Sequence, residues 1–119
     1  MKFALLNESF SVLKVEGMPP LVPGTMFAAR TDGESSLVCE TRHSPAEWVA
    51  REDGWRAFRV CGQLDFGLIG ILAEIAGALA AAEISVFCVS TFDTDYVLVK
   101  EEKLNGAIAA LERRGHAFS

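Results

Sequence analysis

Histidine is scarce in this chain: of 119 residues only His43 and His116 are histidines, and neither stands in an HxH or HExxH spacing. Each lies beside an expected helix boundary, so both read as solvated helix-end residues, not as metal ligands or general bases. Cysteine is also limited, with Cys39, Cys61 and Cys88 making an odd number and no CxxC. That pattern suits buried reduced thiols better than disulfides or a zinc site. Cys61 and Cys88 fall within apolar runs, where a thiol's pKa is raised and little thiolate forms. No GxSxG, Walker-type glycine loop or telling carboxylate pair occurs, so we expect no enzyme, no metal and no cofactor. Positive charge is outweighed: 11 Lys and Arg against 16 Asp and Glu leave a formal charge of −5, which argues against a nucleic-acid partner. Long apolar runs are missing too. The longest, Leu68 to Ala82, is about 15 residues and falls short of the roughly 20 needed to cross a bilayer. The N-terminal MKFALLNESF turns polar at Asn7, too early for a secretory signal, so a cytoplasmic setting is expected.

What the chain does have is 50% hydrophobic and 23% charged residues, enough for one compact packing unit. It also repeats itself. MFAARTDGESSLVCE (Met26 to Glu40) lies over VFCVSTFDTDYVLVK (Val86 to Lys100) at an offset of about 60 without a gap, matching Phe27 with Phe87 and Thr31 with Thr91. Continuing, SPAEWVARED falls beside LNGAIAALER, Trp48 beside Ile108 and Phe58 beside Phe118. Before the second copy stand a strand, WRAFRVCG, and a helix in DFGLIGILAEIAGALAAAE, where Ile71, Leu72, Ile75 and Leu79 recur at helical spacing. Before the first copy, a strand (SFSVLKV) is followed only by EGMPPLVPG, whose three prolines and two glycines exclude a helix.

These patterns predict an α+β chain of two ferredoxin-like βαββαβ modules in tandem. Residues 1–54 form a degenerate first module lacking its first helix, and residues 55–119 a complete second one. Ser44, Pro45 and Glu47 read as a capping-box start, so HSPAEW is expected to begin the first module's remaining helix. Gly115 after LERR reads as the stop of the last helix, ahead of a short strand, HAF.

Two stretches draw attention as binding elements. CGQLDFGLIG (Cys61 to Gly70) joins a strand to a helix start and holds three glycines. Unpaired N–H groups at such a terminus can receive a carboxylate, and the same glycines equally fit a tight turn capped by Asp65 or a glycine. STFDTDYVLVK (Ser90 to Lys100) puts hydroxyls and two aspartates between apolar strands, more polar atoms than a hairpin turn requires. Ser90, Thr91 and Asp95 can accept hydrogen bonds from an ammonium group while the helix start holds a carboxylate. A glycine turn, an apolar helix and an acidic strand end then describe a receptor for a zwitterion such as an amino acid. A plain solvated hairpin is the alternative for Asp93 and Asp95, and Phe92 at the tip is either exposed or packed over something.

GILAEIAGALAAAEISVF resembles the helix and second strand of ACT domains, small ligand-binding modules that regulate amino-acid metabolism. LDFGLIGILAEIAGALAAAEISVFCVSTFDTDYVLVKEE is similar, more narrowly, to bacterial ACT-like proteins related to the CASTOR-type arginine sensors. The resemblance covers Trp55 to Phe118, and more loosely Met1 to Glu40. It implies two ACT modules per chain, pairing of chains into a homodimer, and an amino-acid ligand. That ligand would meet the turn Leu68, Ile69, Gly70, Ile71 and Leu72 through backbone groups, and Ser90, Thr91, Phe92 and Asp95 through the hairpin. The chain departs from the family twice: Asp65 stands five residues before Gly70 where the common turn is D-x-x-G, and Glu83 stands where many members carry the glycine that ends the helix. The leading expectation is a non-enzymatic amino-acid-binding regulatory protein. The alternatives are a protein-interaction module that has kept the fold and lost the ligand, and an RNA-binding ferredoxin-like fold, which the acidic balance opposes.

Overall fold

Fourteen residues of unbroken extended chain, Lys2–Val15, open the fold as β1, in a computed structural model that describes residues 1–62 and 70–119. Then follow β2 (Thr25–Arg30), β3 (Ser35–Glu40), β4 (Ala50–Val60), α1 (Ile71–Ala81), β5 (Phe87–Ser90), β6 (Asp95–Lys100), α2 (Leu104–Arg113) and β7 (Ala117–Phe118). Short 3₁₀ turns at Thr41–His43 and Glu101–Lys103 follow β3 and β6. The contacts separate two units, one of residues 1–7 and 56–119 and one of residues 8–55, and both long strands, β1 and β4, contribute to each.

In the unit of residues 1–7 and 56–119 the strands run β7-β1-β4-β6-β5, with β7 parallel to β1 and β5 antiparallel to β6. Alternation along the strands sends Phe3, Phe58, Val60, Val97 and Val99 to one face, where they meet Ile75 and Leu79 of α1 and Leu111 of α2. Phe3, Phe58 and Phe118 close on one another with ring centroids 5.1–5.3 Å apart. The apolar stripe predicted for α1 is correct at Ile75 and Leu79, both fully buried, whereas Leu72 turns outward at 36% exposure.

Both helices stop in the same way. At the end of α2 the His116 N–H donates to the Leu111 carbonyl at 3.2 Å and the Gly115 N–H to Glu112 at 3.0 Å, with Gly115 at φ +89°. At the end of α1 the Ile84 N–H donates to Leu79 and the Glu83 N–H to Ala80, each at 2.9 Å. This is the Schellman pattern, whose left-handed residue is normally glycine. Here Glu83 holds φ +60°, the one non-glycine with positive φ among the described residues. The expected glycine is therefore missing at the place where its freedom is needed.

In the unit of residues 8–55 the order is β2-β3-β1-β4, and β1 pairs with β3 from Phe10↔Glu40 to Val15↔Ser35. Leu13, Val15, Leu37 and Cys39 form its small core, with Val22 packed against it. The offset of 60 is visible in the elements: β3 starts at Ser35 and β6 at Asp95, and the 3₁₀ turns at Thr41 and Glu101. It ends there. The helix predicted from Ser44 does not form, and no α-helix occurs in residues 8–55. Ser44 is extended (φ −56°, ψ 138°), the conformation favoured before a proline. Its hydroxyl donates to the Thr41 carbonyl at 2.8 Å instead of capping a helix. The Val49 N–H donates to the Lys14 carbonyl at 2.7 Å, which draws the segment onto the sheet before a helical turn can close.

Candidate functional site

α1 begins at Gly70, whose φ of +84° is a left-handed conformation that glycine adopts without strain. Gly70 offers no side chain to cap the helix, and among the described residues no side chain caps it, at the positive end of the helix dipole. The helix proper starts when the Glu74 N–H donates to the Gly70 carbonyl at 2.8 Å. Ile71 packs against the core and Leu72 is exposed. Leu68 and Ile69, together with Asp65, lie outside the described residues.

Side-chain and backbone contacts fix which end of the unit this is. Glu74 Oε1 lies 3.3 Å from His116 Nε2. His116 directly precedes β7, which pairs with Lys2, and the Cys61 N–H donates to the Lys2 carbonyl at 2.9 Å. The start of α1 and the end of β4 therefore share one end of the unit. The tip of the β5–β6 hairpin is there as well, because Thr94 Oγ1 donates to the Val60 carbonyl at 2.8 Å.

The hydroxyls of the tip divide into two roles. Thr91 closes the turn: its N–H donates to the Thr94 carbonyl at 2.8 Å, its hydroxyl donates to the same carbonyl at 3.1 Å and accepts from the Thr94 N–H at 3.3 Å. The first hairpin closes identically, with the Thr31 hydroxyl accepting from the Gly33 and Glu34 N–H groups at 3.2 Å each. Thr94 anchors the tip and is buried, a role the sequence reading did not assign. The signal was present in the T-x-x-T spacing of Thr91 and Thr94.

Ser90 pairs with Asp95 and Cys88 with Val97, so by strand alternation Asp95 shares the face of Val97, which α1 covers. Electrostatics agree with this placement. Burial first, and then the negative charge of Asp95, push the Cys88 thiol pKa above its ordinary value. Ser90 is exposed, Asp95 half-buried, and Phe92 stands out at the tip with 76% exposure. The structure thus places Gly70 and Ile71 at the same end of the unit as Ser90 and Asp95, turns Leu72 outward, uses Thr91 for the turn, and leaves Phe92 exposed.

His116, expected to be solvated, is instead mostly buried, its side chain 9% exposed against the Phe3 ring and the Glu74 carboxylate, with Arg114 Nη1 3.7 Å from the other carboxylate oxygen. The cysteines are free thiols. No described helix is long and apolar enough to cross a membrane.

Residues 50–113 match the ACT domain family, a span that runs from the first residue of β4 to the last of α2. The human cytosolic arginine sensor for mTORC1 subunit 1 is 49% identical over 61 residues, covering 50% of this chain and 18% of that protein, and the bovine protein matches equally. The chain thus spans about a fifth of the length of these curated relatives. A solved structure from Agrobacterium tumefaciens is 29% identical, covers 99% of this chain and 91% of its own, and superposes with a TM-score of 0.84. The ligand-free regulatory subunit of aspartate kinase from Thermus thermophilus, 10% identical with 93% and 95% covered, shares the fold at a TM-score of 0.66.

Proposed function

This chain belongs to the ACT domain family, and from that premise we propose that it is a non-enzymatic regulatory protein that binds an amino acid in its helix-bearing unit. The observation that supports the reading is that the helix start at Gly70, which carries no side-chain cap among the described residues, lies at the same end of the unit as Ser90 and the half-buried Asp95. Backbone N–H groups of Gly70, Ile71 and Leu72 would hold the ligand carboxylate at the positive end of the helix. Asp95 and Ser90 would accept hydrogen bonds from its ammonium group. Thr91 keeps the tip in shape and Phe92 would cover the ligand's apolar part, while Leu68 and Ile69, expected from the sequence to add backbone groups, lie outside the described residues. Because the relatives matched over half of this chain are named as arginine sensors, arginine is the first amino acid to test.

The same reading makes the chain a cytoplasmic homodimer that binds neither nucleic acid nor membrane. It also treats residues 1–54 and 55–119 as tandem modules. The matching hairpin closures at Thr31 and Thr91 and the matching 3₁₀ turns support the duplication. The first module, without helices, takes a structural role.

The test is thermal unfolding against all twenty amino acids at millimolar concentration. A ligand at 100 times its dissociation constant stabilises the fold by about 2.7 kcal/mol, several degrees for a domain of this size. A shift confined to one or a few amino acids and lost in Asp95→Ala supports the reading. A flat panel sinks it and favours an interaction module without ligand, a second reading to which the closed Thr91 hydroxyl and the exposed Phe92 already lend support.

A further inference from the structure

The unit of residues 8–55 holds a cleft of about 480 Å³ beside the segment where the predicted helix is missing. Met18, Pro20 and Val49 give it apolar walls, Trp48 an aromatic one, and Glu16 and Glu47 two carboxylates. The apolar groups are unusually open to solvent, with Met18 73%, Trp48 47% and Val49 48% exposed. Among the described residues, Glu16 and Glu47 make no ion pair or hydrogen bond, and no cationic side chain lines the cleft. Arg51 lies over one face of the Trp48 ring, 5.4 Å from its centroid, and is bound to Asp53 at 2.7 Å and to the Ser44 hydroxyl at 3.2 Å. Its charge is therefore already compensated.

Two unpaired carboxylates beside an indole ring and a short apolar wall suit one chemical class: a small organic cation with an apolar stem. The carboxylates attract the charged head, the ring attracts it through its quadrupole, and the wall takes the alkyl part. We propose that this cleft is a second binding site, for an alkylammonium or alkylguanidinium compound, independent of the amino-acid site proposed in the other unit. The volume falls within the range of small-molecule pockets. The loop EGMPPLVPG, with three prolines in nine residues, presents Met18 and Pro20 on a stiff backbone, so little conformational freedom is lost on binding.

The indole N–H of Trp48 reports directly on the cleft. In a ¹⁵N-labelled sample the two tryptophans give two indole signals, and Trp48→Phe identifies which belongs to Trp48. Titration with n-butylguanidinium and with n-butylamine is expected to move the Trp48 signal saturably, while neutral n-butanol leaves it in place. The double variant Glu16→Gln, Glu47→Gln, altered only at exposed side chains, is expected to weaken both cations about tenfold with an unchanged melting temperature. A response to n-butanol equal to that of the cations, affinity unchanged in the double variant, or no saturable shift at all would each overturn the proposal.

Discussion

At the scale of single residues, Glu83 carries a cost that the fold tolerates. A non-glycine residue in the left-handed region is destabilised by roughly 1 kcal/mol, and Glu83 at φ +60° has no relief from it in its helix-ending hydrogen bonds. Glu83→Gly should therefore raise stability by about 1 kcal/mol in urea unfolding. Thr94 works in the opposite sense. Replacing it by valine leaves the Val60 carbonyl without its buried donor and should cost roughly 1–3 kcal/mol. Cys88 links stability to pH. Its thiol pKa is raised by burial and then by Asp95, so the folded protein keeps a proton that the unfolded chain releases near about pH 8.5. The contribution is complete below that pH and is lost as pH rises through the folded pKa. Stability measured in urea should fall above about pH 8.5 more steeply in the parent protein than in Cys88→Ala, and Asp95→Asn should hasten alkylation of Cys88.

At the scale of elements, what the sequence makes legible depends on whether a segment's partners are local. The stop of α2 and the apolar face of α1 were readable because Gly115 and the spacing of Ile75 and Leu79 act within a few residues of chain. The paired hairpins were readable for the same reason, since Thr31 and Thr91 each close a turn with a residue three positions away. Ser44 misled because its capping-box pattern is also local, yet its fate is decided by Lys14 and Arg51, which compete for the Val49 amide and the Ser44 hydroxyl. Thr94 was given no role and His116 was expected to be solvated because their partners, Val60 and Glu74, lie 34 and 42 residues away. The candidate site was legible as two stretches, and the fold adds that Gly70 and the β5–β6 tip lie at one end of the unit and that Thr91 closes the turn. Gly115→Ala tests the element scale: a Cβ there meets nothing within 4 Å, so the loss of about 1 kcal/mol expected from its φ of +89° isolates backbone strain from crowding.

At the scale of the whole molecule, the chain gives its helices to one unit and leaves the other as sheet and loops. The helix-bearing unit has a core of three aromatic rings and aliphatic side chains from both helices, whereas the unit of residues 8–55 has a cluster of Leu13, Val15, Leu37 and Cys39, with Phe10 and Val38 also buried. A small core of this kind gains from a neighbour. If chains pair as proposed, sedimentation should give about twice the 12.9 kDa chain mass at micromolar concentration, and a strict monomer would count against the pairing. The central claim, amino-acid binding at the start of α1 and the β5–β6 tip, is tested most directly by amide NMR, titrating the protein with arginine and with any other amino acid that raises its melting temperature. The account predicts saturable shifts in the amides of residues 70–73 and 90–95 that are absent in Asp95→Ala, whether or not the Trp48 cleft also responds to the guanidinium group of arginine. Shifts confined to residues 8–55, or none that saturate, would contradict it.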